Sequence, residues 1–306
     1  LVISFLASLV AIQSVAFGQK PNSIAPSKVS IGDGIELHYV EQGEGDPIIF
    51  IHGLTGDCFV WMRQLEAFAE KGYRAIAYSR RYNYPNENRL RPDHSATIEA
   101  ADLAAFIRKL KLPQEHIVGH SYGAYTALIF ALKHPDLVRT LTLAEPPLVP
   151  WLVELPEDQI EAGQAHLKKL MDEGVIPAKA AFKSGNDEMA LQTIFNCIAG
   201  RQLFDRLPHF VKDQCRRNIK EVKAIMISED RFPVIDHEQV RRMVLPTLIL
   251  SGSESRATAR LTDLEIERLI PEQSRKRVVL PGATHIMWVE QPEQCRQTVL
   301  EFIRGN

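Results

Sequence analysis

EHIVGHSYGAYTALIFALKH (Glu115–His134) holds two patterns with a glycine-flanked serine between them. The first is a short apolar run around Ile117 and Val118, as in a buried strand. The second, from Tyr122 onward, is apolar over the length of a helix. Ser121 stands at the junction, with Gly119 and Gly123 two residues to either side. A sharp strand-to-helix turn leaves no space for side chains at those two positions. It also lifts the apex side chain clear of the sheet and exposes its hydroxyl. A G-x-S-x-G arises by chance as well, so the strand before it and the helix after it give this one its meaning.

The same alternation extends in both directions. Upstream, KVSIG and IELHYVEQG read as a hairpin and DPIIFIHG as a short apolar strand. CFVWMRQLEAFAEKG reads as a helix closed by Gly72, YRAIAYS as a strand and SATIEAADLAAFIRKLKL as a helix. Downstream, VRTLTLAE is a further strand ending in Glu145. Alternation then stops: residues 146–245 read as amphipathic helices broken by Pro and Gly. It resumes with PTLILSG, a helix from about Thr258 to Leu269, RKRVVLPG and PEQCRQTVLEFIR. The pattern predicts one α/β domain (19–145 and 246–306) with a mostly parallel sheet, helices on both faces, and a helical insertion at 146–245.

Composition narrows the function classes. The chain has 306 residues, 45% hydrophobic, with formal net charge −2, enough for one large core. No basic stripe marks a nucleic-acid surface. The sequence carries no H-E-x-x-H, Walker loop or G-x-G-x-x-G, so no metal or cofactor is expected and the expected partner is a small-molecule substrate. Residues 1–18, apolar and uncharged, end in Ala16-Phe17-Gly18 and read as a signal peptide cleaved before Gln19. That run falls short of the ~20 apolar residues of a spanning helix, so the mature chain is expected outside the cytoplasm, periplasmic or secreted, without a membrane span. Cys197 and Cys215 either form a bridge or are buried free thiols; Cys58 and Cys295 suggest no pairing.

With these residues in view, the chain resembles the α/β-hydrolase superfamily, serine-nucleophile branch. GHSYG matches its nucleophile turn, IHGLTGD its oxyanion loop and PGATHIMWVEQPEQ its catalytic-histidine loop. The resemblance implies Ser121 as nucleophile, His285 as base, and the backbone N–H groups of Leu54 and Tyr122 as the oxyanion hole. It also implies an Asp three residues after Gly252, where this sequence has Ser255. A serine cannot supply the charge that orients a histidine. Glu145, at the end of the neighbouring strand, is long enough to replace it, and some haloalkane dehalogenases of the superfamily place their acid at this strand end. Glu254 competes, but alternation along an extended segment turns it away from where Ser255 faces.

In SRRYNYPN, Arg80 and Arg81 are expected to brace the turn and Tyr82 to line the pocket rim with Tyr84. Trp151, Phe195 and Trp288 are further pocket candidates. The expectation is a serine hydrolase with a Ser-His-Glu triad, cleaving a small to medium, largely apolar ester or lactone. Carbon–carbon bond hydrolysis and cofactor-free perhydrolysis use the same machinery. The alternative from another class is a ligand-binding protein that has kept the pocket and lost turnover.

Overall fold

A computed structural model describes residues 24–199 and 203–306; the leader read as a signal peptide lies outside them. Eight strands form one sheet: β1 Ser27–Gly32, β2 Ile35–Gln42, β3 Asp46–Ile51, β4 Tyr73–Tyr78, β5 Glu115–His120, β6 Val138–Ala144, β7 Thr247–Gly252 and β8 Arg275–Leu280. Their order is β1-β2-β4-β3-β5-β6-β7-β8. β1 and β2 pair antiparallel across Asp33-Gly34, both left-handed, as a tight hairpin turn requires. β2 pairs antiparallel with β4, and every pairing from β4 to β8 is parallel.

The apolar composition of the central strands follows from helices on both faces. On one face lie α1 Met62–Ala69 and the C-terminal helix, packing Trp61, Leu65, Phe68, Val299 and Phe302 against Phe50, Val118 and Leu250. On the other, α2 Ala96–Lys109 and α3 Tyr122–Lys133 pack Leu103, Phe106, Leu128 and Phe130 against Ile49, Ile117 and Leu141. The stretch Cys58–Ala69 differs from the single helix its spacing predicts. Asp57 accepts from the Phe59 N–H and sets a 3₁₀ turn over Cys58–Trp61 before the α-helix begins.

Between β6 and β7 the described chain is helical: α4 Ile160–Leu170, α5 Ile176–Lys183, α6 Asp187–Ala199, α7 Leu203–Arg206, α8 His209–Arg217, α9 Ile219–Ile227 and α10 His237–Arg241. α11 Ala257–Leu269, α12 Met287–Glu290 and α13 Pro292–Arg304 complete the fold. No helix among the described residues is long and apolar enough to cross a membrane.

Topology gathers the polar candidates on one edge. β3 and β5 are neighbours, but the chain leaves β3 toward β4 on one side and β5 toward β6 on the other. Such a reversal opens a crevice outside the carboxyl ends of the strands. Loops carrying Leu54, Ser121, Glu145, Ser255 and His285 leave those ends in turn, from β3, β5, β6, β7 and β8.

Candidate active site

Ser121 occupies a backbone conformation that L-residues avoid, with φ 53° and ψ −125°. The turn is fixed around it. Its N–H donates to the Ala144 carbonyl at 2.8 Å, and its own carbonyl accepts from Ala124 and Tyr125 N–H. The flanking glycines are required by space. A Cβ on Gly119 would stand 2.5 Å from the Ala124 Cα, and one on Gly123 would stand 2.4 Å from the Ile51 carbonyl oxygen. Sequence spacing and local geometry therefore agree at this turn.

The imidazole of His285 joins the serine to a carboxylate. The Ser121 hydroxyl donates to His285 Nε2 at 3.0 Å, and His285 Nδ1–H donates to Glu145 Oε2 at 2.6 Å. Glu145 is 1% exposed and, like Ser121, left-handed, at φ 50°. Its other oxygen accepts the Gly252 N–H at 2.8 Å, which fixes the carboxylate plane. Burial pushes its carboxyl up, but the bonds from His285 and Gly252 outweigh this and hold it below the ordinary carboxylate range. An ionised acid thus meets the imidazole nitrogen that must carry a proton when Nε2 acts as base.

Neighbouring groups set the histidine loop. His120 Nε2–H donates to the His285 carbonyl at 2.8 Å, with its ring 5.0 Å from that of His285. Burial and the adjacent imidazole push His120 down to about 4, so it stays a neutral donor. Thr284 N–H donates to Glu290 Oε2 at 2.7 Å and closes the loop onto α12. Ser255 is buried with its hydroxyl beside Glu145, where it helps hold that carboxyl low, while Glu254 is exposed and accepts the Ser253 hydroxyl at 3.3 Å. The segment is a turn, with Ser255 N–H donating to the Gly252 carbonyl at 3.2 Å, and not the extended stretch expected; Glu254 faces solvent from that turn.

The Gly53 loop, which the resemblance implies as the oxyanion loop, lies against Ser121, since a Cβ on Gly53 would come 2.9 Å from the Ser121 Cβ. Tyr122 is the first residue of α3, so its N–H has no acceptor within the helix. Leu54 follows Gly53 in the loop. Arg80, fully buried, pairs with Glu99 at 2.6 Å and with Glu221, and it donates to the His52 and Gly53 carbonyls. Arg81 pairs with Asp102 at 2.6 Å. Both arginines brace, as expected.

Several pocket expectations need correcting. Tyr82 is 1% exposed; its hydroxyl accepts the Arg91 N–H and its ring meets His94 edge-on at 4.8 Å. Trp151 is fully buried, with Nε1–H donating to the Ile235 carbonyl at 2.9 Å. Trp288 packs edge-to-face on Trp61 at 5.0 Å, under the opposite face of the sheet, and Phe195 packs on Phe204 at 5.4 Å. Tyr82, Trp151 and Trp288 fill the interior, because large rings lose most by staying wet, and Phe195 lies half-buried against the core. Cys197 and Cys215 are free: Cys215 faces the Thr55 hydroxyl, while Cys197 packs on Gly174.

Sequence reading missed Glu221. The signal was present: Asn218, Glu221, Val222 and Ile225 form one i, i+3, i+4, i+7 stripe, and all are buried. A carboxylate in such a stripe must meet a partner.

Residues 46–170 match the family described as alpha/beta hydrolase fold. The bifunctional epoxide hydrolase 2 of Rattus norvegicus is 30% identical over 131 residues, 42% of this chain and 24% of that one. The match therefore spans about a quarter of that relative's length. A 2-hydroxy-6-oxononadienedioate/2-hydroxy-6-oxononatrienedioate hydrolase of Burkholderia vietnamiensis is 26% identical over 290 residues, 90% of this chain and 93% of that one. The crystal structure of an enol-lactonase from Burkholderia xenovorans has a TM-score of 0.71 at 17% identity, covering 91% of this chain and all of that one. At that identity the likeness is one of fold.

Proposed function

The chain has the α/β-hydrolase fold, and on that premise we propose that it is a serine hydrolase of small to medium, largely apolar esters or lactones. The observation that carries the reading is the unbroken line from Ser121 Oγ through the His285 ring to Glu145, at 3.0 and 2.6 Å. His285 takes the serine proton as Oγ attacks the substrate carbonyl, and Glu145 stabilises the imidazolium that forms. The Leu54 and Tyr122 N–H groups receive the oxyanion. His285 then gives its proton to the departing alkoxide. The acyl-enzyme on Ser121 is hydrolysed by a water that the same imidazole activates. The helices between β6 and β7 act as the cap over this edge.

The resemblance implies that epoxide hydrolases carry an Asp where Ser121 stands, so the rat relative's named activity is not carried over. The Burkholderia vietnamiensis relative favours a second reading. Its named substrate has a ketone and no ester, and hydrolysis of a carbon–carbon bond would use this same serine machinery. The protein is exported in this reading, with the mature chain beginning near Gln19. Intact-mass measurement of protein from the native host would show that N-terminus outside the cytoplasm; an uncleaved cytoplasmic chain removes the export proposal.

A fluorophosphonate probe tests the nucleophile. Rapid labelling of the folded protein, absent in Ser121→Ala, is the expected result. No labelling of the intact protein leaves the ligand-binding alternative. Rates on p-nitrophenyl esters of graded chain length, simple lactones and a keto-dienoate then rank the bond types.

A further inference from the structure

The cluster that holds the oxyanion loop reaches it from the helical insertion. Glu221, on α9 and fully buried, accepts the Thr55 N–H at 3.0 Å and Asn83 Nδ2 at 2.8 Å on one oxygen. Its other oxygen pairs with Arg80. Arg80 in turn donates to the His52 carbonyl at 3.1 Å and to the Gly53 carbonyl at 3.2 Å. His52 Nδ1 adds a second bond to that Gly53 carbonyl, at 2.9 Å.

The Gly53 carbonyl and the Leu54 N–H belong to one planar trans peptide, so they point in opposite directions. Gly56 N–H donates to the same carbonyl at 3.1 Å, and these three donors together aim the Leu54 N–H away from Arg80. The next residue, Thr55, is β-branched yet left-handed at φ 61°. Such a conformation persists only where the surroundings over-determine it. Here the insertion does so: Glu221 takes the Thr55 N–H, while Gln214 Nε2 and Asn218 Nδ2 donate to its carbonyl at 3.3 and 3.2 Å. Asn218 and Arg217 also hold Asp57 Oδ2, at 3.1 and 2.9 Å, at the far end of the loop.

We infer that Glu221 is a positioning residue for the reaction: it clamps the loop so that the Leu54 N–H is aimed at the oxyanion, and it makes the hole depend on the seated insertion. This rests on the ester-hydrolase reading of Ser121. The clamp acts on transition-state charge rather than on substrate binding, so its removal shows in kcat more than in KM.

The test begins with wild type and Ser121→Ala on a p-nitrophenyl ester, which decides the hydrolase reading separately. Glu221→Gln is expected to lower kcat about 10- to 100-fold with KM within about threefold. Hydrogen exchange in a peptide covering residues 53–57 should accelerate in the same protein, a readout that needs no turnover. Thr55→Gly removes the conformational strain, so Glu221→Gln in that background should cost less than about threefold. If Glu221→Gln does not fold, Gln214→Ala loosens the Thr55 carbonyl without unpairing a buried charge, and a two- to fivefold kcat loss with faster exchange is expected. Folded Glu221→Gln with wild-type kcat and exchange overturns the inference, as do an equal loss in both Thr55 backgrounds and an unaltered Gln214→Ala. If wild type hydrolyses nothing, the hydrolase reading fails, and unchanged exchange in Glu221→Gln would sink the clamp as well.

Discussion

Two glutamates were candidates for orienting His285, and their surroundings give opposite outcomes on substitution. Glu145 is buried, holds its carboxylate plane through Gly252 and meets Nδ1 at 2.6 Å. Its amide would present an N–H to that nitrogen and stabilise the wrong imidazole tautomer, which in a serine protease costs about 10⁴ in kcat. Glu145→Gln should therefore lose roughly 10³–10⁴ in kcat at neutral pH, with circular dichroism and melting unchanged. Glu254 faces solvent, and Glu254→Gln should change kcat by less than about tenfold, ~1.4 kcal/mol. The reverse ranking in folded protein would make Glu145 a strand-end residue alone. The pairing of Glu145 with His285 was legible in the sequence, because a charge at the end of an apolar strand needs a partner and chain order leaves few. The pocket was not. Whether Trp151 or Trp288 faces a cavity or the core depends on residues far away in sequence, such as Ile235 and Trp61, which no local spacing reveals.

The Ser121 turn is an element whose flanking glycines leave no space for any side chain. At Gly119 a methyl group would meet backbone atoms of Ala124 and Gly123 at 2.5 and 2.7 Å, and backbone cannot rotate away as a long side chain can. Gly119→Ala should lower unfolding free energy by about 3 kcal/mol in a denaturant titration, with loss of fluorophosphonate labelling. Gly305→Ala provides the contrast. Its φ is −89°, and the nearest atoms to a new Cβ are 3.6 Å away, so the same titration should move by no more than ~0.5 kcal/mol. A wild-type stability for Gly119→Ala would show that the turn relaxes. The element order was readable for the same reason that the turn is rigid: short apolar strands, helix-length runs and glycines follow from sterics within a few residues. The 3₁₀ start at Cys58 escaped, since one Asp57 side chain decides it.

Across the whole molecule, buried ionisable groups set how stability varies with pH. Burial pushes His52 down to about 3 and His116 and His120 down to about 4. The unfolded chain takes up protons on these histidines below 6.5 and the folded chain does not, so stability falls as pH drops from 6.5. Glu115, buried with both carboxyl oxygens unpaired, is pushed up to about 8, and Asp263 is raised by burial as well. Here the folded state keeps protons that the unfolded state has released, so stability falls as pH rises toward 8. The two slopes place the stability maximum near pH 6.5 in urea titrations across pH 5–9. Glu115→Gln should flatten the alkaline limb and stabilise the protein at pH 8 by on the order of 2 kcal/mol, after allowance for screening by Arg74 and Arg139. A midpoint that is flat from pH 6 to 9 in the wild type would dismiss this account.

The separation of 166 positions between Thr55 and Glu221 also bears on how such a protein can be rebuilt. Lids are attractive parts to graft, since exchanging one promises a new substrate range on an unchanged catalytic frame. Here the graft border does not follow the chain boundaries at the ends of β6 and β7, because one carboxylate of the helical insertion completes the ion cluster beneath the loop after β3. A foreign insertion without an acid at this place would leave Arg80 with Glu99 as its ion partner and Thr55 N–H without the Glu221 acceptor. Recombination between relatives should therefore succeed when Arg80, Thr55 and Glu221 are inherited together, and libraries that split them should be enriched in soluble but slow chimaeras.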